Sequence, residues 1–156
     1  MQSLHPLVVH FPIALLLCAL GCDVLALLIR RPALHRVALW NLALGALGAV
    51  AAVLTGREAE EVAKHSFEIF QVMERHERLG YDTLTLACLT LGWRLWRRDQ
   101  LGRRARVGTL ILMGLMAASL AYGAHLGGRL VYEFGVGGTF GAAPARADGE
   151  HAQPAR

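Results

Sequence analysis

The side chains with the clearest chemical potential are the seven histidines of this 156-residue chain. An imidazole ring can bind haem iron or a transition metal, and it exchanges protons near neutral pH. Four of the seven lie beside long apolar stretches, far apart in sequence: His5, His10, His76 and His125. Helices that pack side by side bring such residues together, so the pattern predicts a metal or cofactor site between facing helices.

The elements that must position these histidines are four apolar blocks of roughly 20 residues, the length of helix that crosses about 30 Å of hydrocarbon. We predict membrane spans over residues 6–29, 34–55, 79–96 and 107–128, with the first span kept in the mature protein. Hydrophobic residues make up 54% of the sequence, too many for an ordinary soluble domain. The prediction is an all-α, integral membrane four-helix bundle over residues 1–138, with a disordered tail over 139–156.

The segment between the second and third spans carries a helical pattern of its own. Apolar residues and histidines recur there at three- and four-residue spacing: Val62, His65, Ile69, Val72, Met73 and His76. This pattern predicts an amphipathic outer helix that runs into the third span.

The orientation follows from the basic residues, which concentrate in the loops after the first and third spans and are held in the cytoplasm during insertion. We therefore predict a multi-pass protein of the bacterial inner membrane, with both termini on the periplasmic side. Only His35 then lies on the cytoplasmic side. His65 belongs to the outer loop and His151 to the tail.

Haem suits this arrangement because an apolar bundle can bury the macrocycle and two imidazoles from separate helices can ligate its iron. The predicted ligands are His10, His76 and His125, with His5 as a fourth candidate. Arg78 and Arg129 are predicted to bind the haem propionates. The expected role is electron transfer by a b-type haem protein, rather than stand-alone catalysis. The net charge of +4 reflects membrane topology, so nucleic acid is not an expected partner.

Two alternatives remain open. In the first, His10, His76 and His125 bind copper or zinc directly. In the second, the protein is a structural accessory subunit of a larger respiratory complex and its histidines are incidental. An absorption spectrum and a metal analysis separate these alternatives from haem.

Two further features are interpreted structurally. Asp23 lies deep in the first span, and we expect it to hydrogen-bond to Trp40 or Asn41 on the second span. The glycine run that begins at Gly127 is expected to break the fourth helix.

Several motifs resemble a bacterial membrane family known as domain of unknown function 2231: the opening HPLVVHFPIALLL, the pair Thr55–Gly56, HERLG from His76, and HLGGRLVYEFGVGG from His125. The resemblance covers about the first 138 residues. Relatives are joined to Rieske or cytochrome c modules, so the resemblance implies a redox setting and a cytochrome c or iron–sulfur protein as partner. Relatives commonly carry a histidine where this chain has Phe134, which excludes a ligand at that position.

Overall fold

The computed structural model describes residues 5–62, 67–97 and 102–136, and the described chain is almost entirely helical. Its elements are α1 (His5–Val8), α2 (His10–Leu28), α3 (Ala33–Val62), α4 (Phe67–Trp96) and α5 (Arg103–Tyr132). The predicted all-α membrane bundle is confirmed. Residue 65, the predicted tail at 139–156 and His151 lie outside the described residues.

Three helical stretches within the described residues are long and apolar enough to cross a membrane: His5–Leu28, Ala33–Arg57 and Arg104–Tyr132. The predicted third span lies wholly within α4, which does not meet the same standard of apolarity. Part of the reason lies in its buried face, where Thr83, Thr90 and Arg94 point into the bundle. These polar groups lower the hydropathy of α4 without facing lipid, and the exposed Asp82 lowers it further.

The helices form two hairpins that pack against each other. The first hairpin consists of α1, α2 and α3, and the second of α4 and α5; α3 also packs on α4, and α2 on α5, which closes the ring. Because successive helices are antiparallel, α2 runs parallel to α4. The bundle therefore has two distinct ends. We call the one that carries His5, His76 and His125 the histidine end, and the one that carries Arg94 the basic end.

A small apolar core joins the two hairpins midway between these ends. It is formed by fully or nearly fully buried side chains from all four long helices: Leu16, Ala19, Leu42, Ala46, Ala87, Met113 and Met116. Large apolar side chains on the outside, such as Trp40 and Leu47, remain exposed. Exposed apolar side chains are expected on a bundle whose outer surface contacts lipid.

Three boundaries refine the predictions. The amphipathic helix is confirmed as the first part of α4, which begins at Phe67 and runs unbroken into the third span. The fourth helix ends within the predicted glycine run but later than its first two members, because α5 continues to Tyr132 and Gly135 has a positive φ of 66°. The first span loses one helical hydrogen bond beside Val9, since Pro12 has no N–H to donate to the carbonyl of Val8, but Val9 keeps helical dihedral angles.

Candidate functional site

Two imidazoles from different hairpins meet at the histidine end. His5 opens α1 and His76 lies in the third turn of α4, and their ring centroids are 6.2 Å apart with the ring planes at 81°. Both side chains are half-buried. Seventy-odd residues of sequence therefore separate two groups that the fold places side by side.

Hydrogen bonds select the same tautomer for both rings. The Nδ1–H of His76 donates to the carbonyl oxygen of Gly123 at 2.8 Å, because a carbonyl can only accept. His5 Nδ1 lies 3.2 Å from the Thr55 hydroxyl, which donates its own proton to the Ala51 carbonyl at 2.9 Å and so accepts from His5. In each neutral ring the Nε2 atom keeps its lone pair, which is the atom that binds a metal.

A glycine supports each ring. A Cβ added at Gly56 would lie 3.1 Å from Cε1 of His5, and a Cβ added at Gly127 would lie 3.0 Å from Cε1 of His76. These distances are shorter than ordinary carbon contacts, so any larger residue would push the ring away. Gly127 was predicted to break a helix, whereas its observed role is close approach to His76.

The other two predicted histidines lie on the exposed surface. His10 is bonded within its own helix, with Nδ1 2.6 Å from the carbonyl oxygen of Pro6. His125 stacks on Tyr122, with centroids 6.4 Å apart, and it lines a shallow pocket of about 290 Å³. The predicted ligand roles of His10 and His125 stay predictions.

The two predicted propionate-binding arginines are engaged with neighbouring carboxylates. Arg129 Nε donates to Glu133 at 2.8 Å, and Arg78 lies 3.8 Å from Glu74 in an exposed pair. Both pairs span one helical turn, so they are easily exchanged for another anion.

The residues that the structure describes contain no group of three or more His, Cys, Asp or Glu side chains placed to hold a metal ion. The set predicted for copper or zinc, His10, His76 and His125, is thus not gathered around one point. His76 instead has His5 as its neighbour: α1 packs on α3, and the His5 ring meets the His76 ring across the boundary between the hairpins.

The basic end holds a buried network that the sequence did not reveal. Arg94 Nη1 donates to Asp23 Oδ2 at 2.6 Å, and His35 Nδ1 donates to Asp23 Oδ1 at 2.7 Å. Arg94 Nη2 also donates to the backbone oxygen of His35 at 2.8 Å. The Arg94 side chain is 0% exposed and that of Asp23 is 3% exposed.

This network corrects the predicted partners of Asp23. Asn41 donates instead to the carbonyl of Val37 in its own helix, and Trp40 is 65% exposed on the outer surface. The sequence pattern assigns no partner to Arg94 and places His35 only as the lone histidine on the cytoplasmic side. The missed signal is that Arg94 lies inside the predicted third span, where a cation requires a buried acid.

Comparison with known protein families identifies the family of this sequence. A sequence model described as predicted membrane protein, DUF2231, matches residues 1–139. The chain belongs to the DUF2231 family. This DUF2231 protein is a membrane protein whose helices contact the lipid bilayer, and the family resemblance drawn from its motifs is confirmed. No curated protein and no solved structure matches the chain.

Proposed function

We propose that this DUF2231 protein is a membrane-bound b-type haem protein that transfers electrons, and that His5 and His76 would hold the haem. The observation that carries the proposal is the separation of 6.2 Å between the two ring centroids. Two imidazoles that bind one ion from opposite sides, with metal–nitrogen distances of about 2 Å, have centroids roughly 6 Å apart. Nearly perpendicular ring planes suit this arrangement, since each ring can rotate about its metal–nitrogen bond.

The number of ligands favours haem over a bare ion. Zinc sites use three or four protein ligands, and no group of three candidate ligands occurs in the described part of the chain. A porphyrin supplies four equatorial nitrogens itself, so two imidazoles complete its coordination. Bound haem would supply reversible one-electron chemistry.

The protein's own residues orient and tune the two imidazoles. The Gly123 carbonyl and the Thr55 hydroxyl accept the Nδ1 protons, and this hydrogen bonding makes Nε2 a stronger ligand. Gly56 and Gly127 let the rings pack closely against the helices. Arg78 and Arg129 are proposed to leave their glutamates and bind the propionates at the same end.

The histidine end is proposed to face the periplasm of the bacterial inner membrane, with both termini beside it. A cytochrome c or iron–sulfur protein, alone or within a respiratory complex, would then exchange electrons there. The support for this orientation is the concentration of arginines near the opposite end, in the connections after α2 and α4.

The proposal is tested on purified, detergent-solubilised full-length protein. We expect a Soret band and a sharp reduced α-band, with the α-band lost in His5→Ala and in His76→Ala. The exposed His10→Ala and His125→Ala are the matched histidine controls, and both are expected to keep the wild-type spectrum. A colourless protein with stoichiometric copper or zinc would favour the metal alternative. A protein with neither haem nor metal would favour the structural subunit.

The orientation is tested separately by cysteine labelling. In a variant without Cys18, Cys22 and Cys88, Glu68→Cys at the histidine end should react with a membrane-impermeant maleimide in intact spheroplasts. Arg31→Cys at the basic end should react only after lysis. The reverse pattern would place the histidine end in the cytoplasm.

A further inference from the structure

The two pairs that join the hairpins share one sequence offset. Asp23 and Arg94, which form the buried ion pair at the basic end, are 71 residues apart. His5 and His76, which meet at the opposite end, are related by the same offset. One hairpin therefore supplies a residue to each pair, and the other hairpin supplies the residue at the equivalent position.

The surroundings of the two imidazoles follow the same offset. The supporting glycines, Gly56 and Gly127, are equivalent positions, and the predicted Cβ contacts to the ring Cε1 atoms agree within 0.1 Å, at 3.1 and 3.0 Å. The Nδ1 acceptors differ between the hairpins, being the Thr55 hydroxyl in the first and the Gly123 carbonyl in the second. Each hairpin thus supplies one imidazole packed on one glycine, at equivalent positions.

The buried faces match as well. In α2 and α4 the buried positions recur in the same register, so the two helices turn equivalent sides toward the interior. In α3 and α5 the pairs Ala38 with Thr109 and Leu42 with Met113 are buried at equivalent positions. The equivalent buried residues of the other two helices are Pro12, Leu16, Ala19 and Asp23 in α2, and Thr83, Ala87, Thr90 and Arg94 in α4.

We infer that the chain is an internal duplication, in which two copies of one helical hairpin pack about an approximate two-fold axis along the bundle. The pairs at both ends lie on this axis because each joins equivalent residues. The part of the inference that concerns the cofactor rests on the proposed function. A haem on the two-fold axis would take one equivalent histidine from each copy. The protein then binds one haem. His10 and His125 cannot form a second symmetric pair, since their equivalents are Tyr81 and Leu54.

The two copies differ at the buried ion pair, because only the first copy carries the carboxylate, that of Asp23. His35 donates to Asp23, and the position equivalent to His35 in the second copy is Arg106. The Nη1 atom of Arg106 is buried and has no hydrogen-bond partner among the described residues. The duplication explains this unsatisfied donor, because its equivalent acceptor site is occupied by Arg94 instead of an acid.

The cofactor count is measured on full-length protein as the ratio of haem to polypeptide. One haem per chain, with equal losses in His5→Ala and His76→Ala, is expected. Two haems per chain, or haem binding that survives both substitutions, would contradict a single haem on the two-fold axis. Either result would still be consistent with a haem protein. Absence of haem would overturn the proposed function and this count, whereas the duplication is tested independently.

The duplication is tested by exchanging the ion pair. Asp23→Arg and Arg94→Asp each place two like charges at the axis, so most monodisperse protein should be lost in detergent. The double exchange should recover it, because the carboxylate at position 94 would then face Arg106 as Asp23 faces His35. A double exchange that recovers no more protein than the single variants would overturn the inference.

A second pair of variants detects which partner the carboxylate uses. In the wild type, Arg106→Ala should shift Tm by less than about 2 °C and His35→Ala by more. In the exchanged protein the order should reverse, with Arg106→Ala the more damaging. An unchanged order would show that the two positions are not equivalent.

Discussion

The two ends of the bundle join the same two hairpins by different means. At the basic end, Asp23 and Arg94 form a buried ion pair, and His35 hydrogen-bonds to both of its members. At the histidine end, the ring centroids of two imidazoles lie 6.2 Å apart, and their Nδ1 atoms hydrogen-bond to the Thr55 hydroxyl and the Gly123 carbonyl. The first contact is satisfied within the protein. The second leaves both Nε2 atoms available for a ligand, which is why we propose binding at that end and cohesion at the other.

The largest effect is expected from removing one side of the buried ion pair. Asp23→Leu leaves the Arg94 guanidinium buried without its acid, at a cost of about 3–5 kcal/mol in the free energy of unfolding. Thermal unfolding in detergent measures the loss. The double variant Asp23→Leu/Arg94→Leu should lose less than the single one, since no charge is then stranded. A double variant at least as unstable as Asp23→Leu would contradict this account of the basic end.

A smaller loss is expected when the third member of the same network is removed. His35→Ala deletes a donor to the Asp23 carboxylate and should cost about 1.5–3 kcal/mol, the usual value of a hydrogen bond to a charged group. Arg94 keeps its contact to the backbone oxygen at position 35. Asn41→Ala is the control on the same helix, because its side chain bonds only within its own turn. Equal stability of the two variants would remove His35 from the network.

At the histidine end, the close packing of a ring on glycine can be tested with neighbouring residues. Gly127→Ala places a methyl group 3.0 Å from the His76 ring and should cost about 1–3 kcal/mol. Gly128→Ala meets nothing within 4 Å and should be neutral or stabilising by up to about 1 kcal/mol. Thermal unfolding compares the two. If Gly127→Ala is as well tolerated as Gly128→Ala, the ring is not held against that glycine.

The smallest effect is expected at the surface of the histidine end. The Arg129–Glu133 pair is partly exposed, so Arg129→Gln should change the free energy of unfolding by no more than about 0.5 kcal/mol. The comparison with Asp23→Leu measures how strongly burial controls the value of an ion pair in this protein. A loss at Arg129 approaching that at Asp23 would contradict the difference drawn between the two ends.

The helices and the family were predictable from sequence because both depend on local patterns. Apolar blocks of membrane-spanning length predict helices, and motifs such as HPLVVHFPIALLL are continuous in the chain. His5 and His76 were among the predicted ligands, because imidazoles beside apolar blocks stand out by type alone. Boundaries were less certain: α3 and α5 extend past the predicted spans to Val62 and Tyr132.

Only the tertiary structure decided which of these residues meet. The sequence offered four histidines near the ends of predicted spans, and position along a span does not say how each helix is rotated. That rotation turns His76 toward His5 and leaves His10 and His125 exposed. Likewise, Asp23 could be recognised as a buried acid, but its partner lies 71 residues away in the other hairpin. The sequence determined the helices because the patterns that predict them are local. Which residues pair between the two hairpins depends on how the hairpins pack.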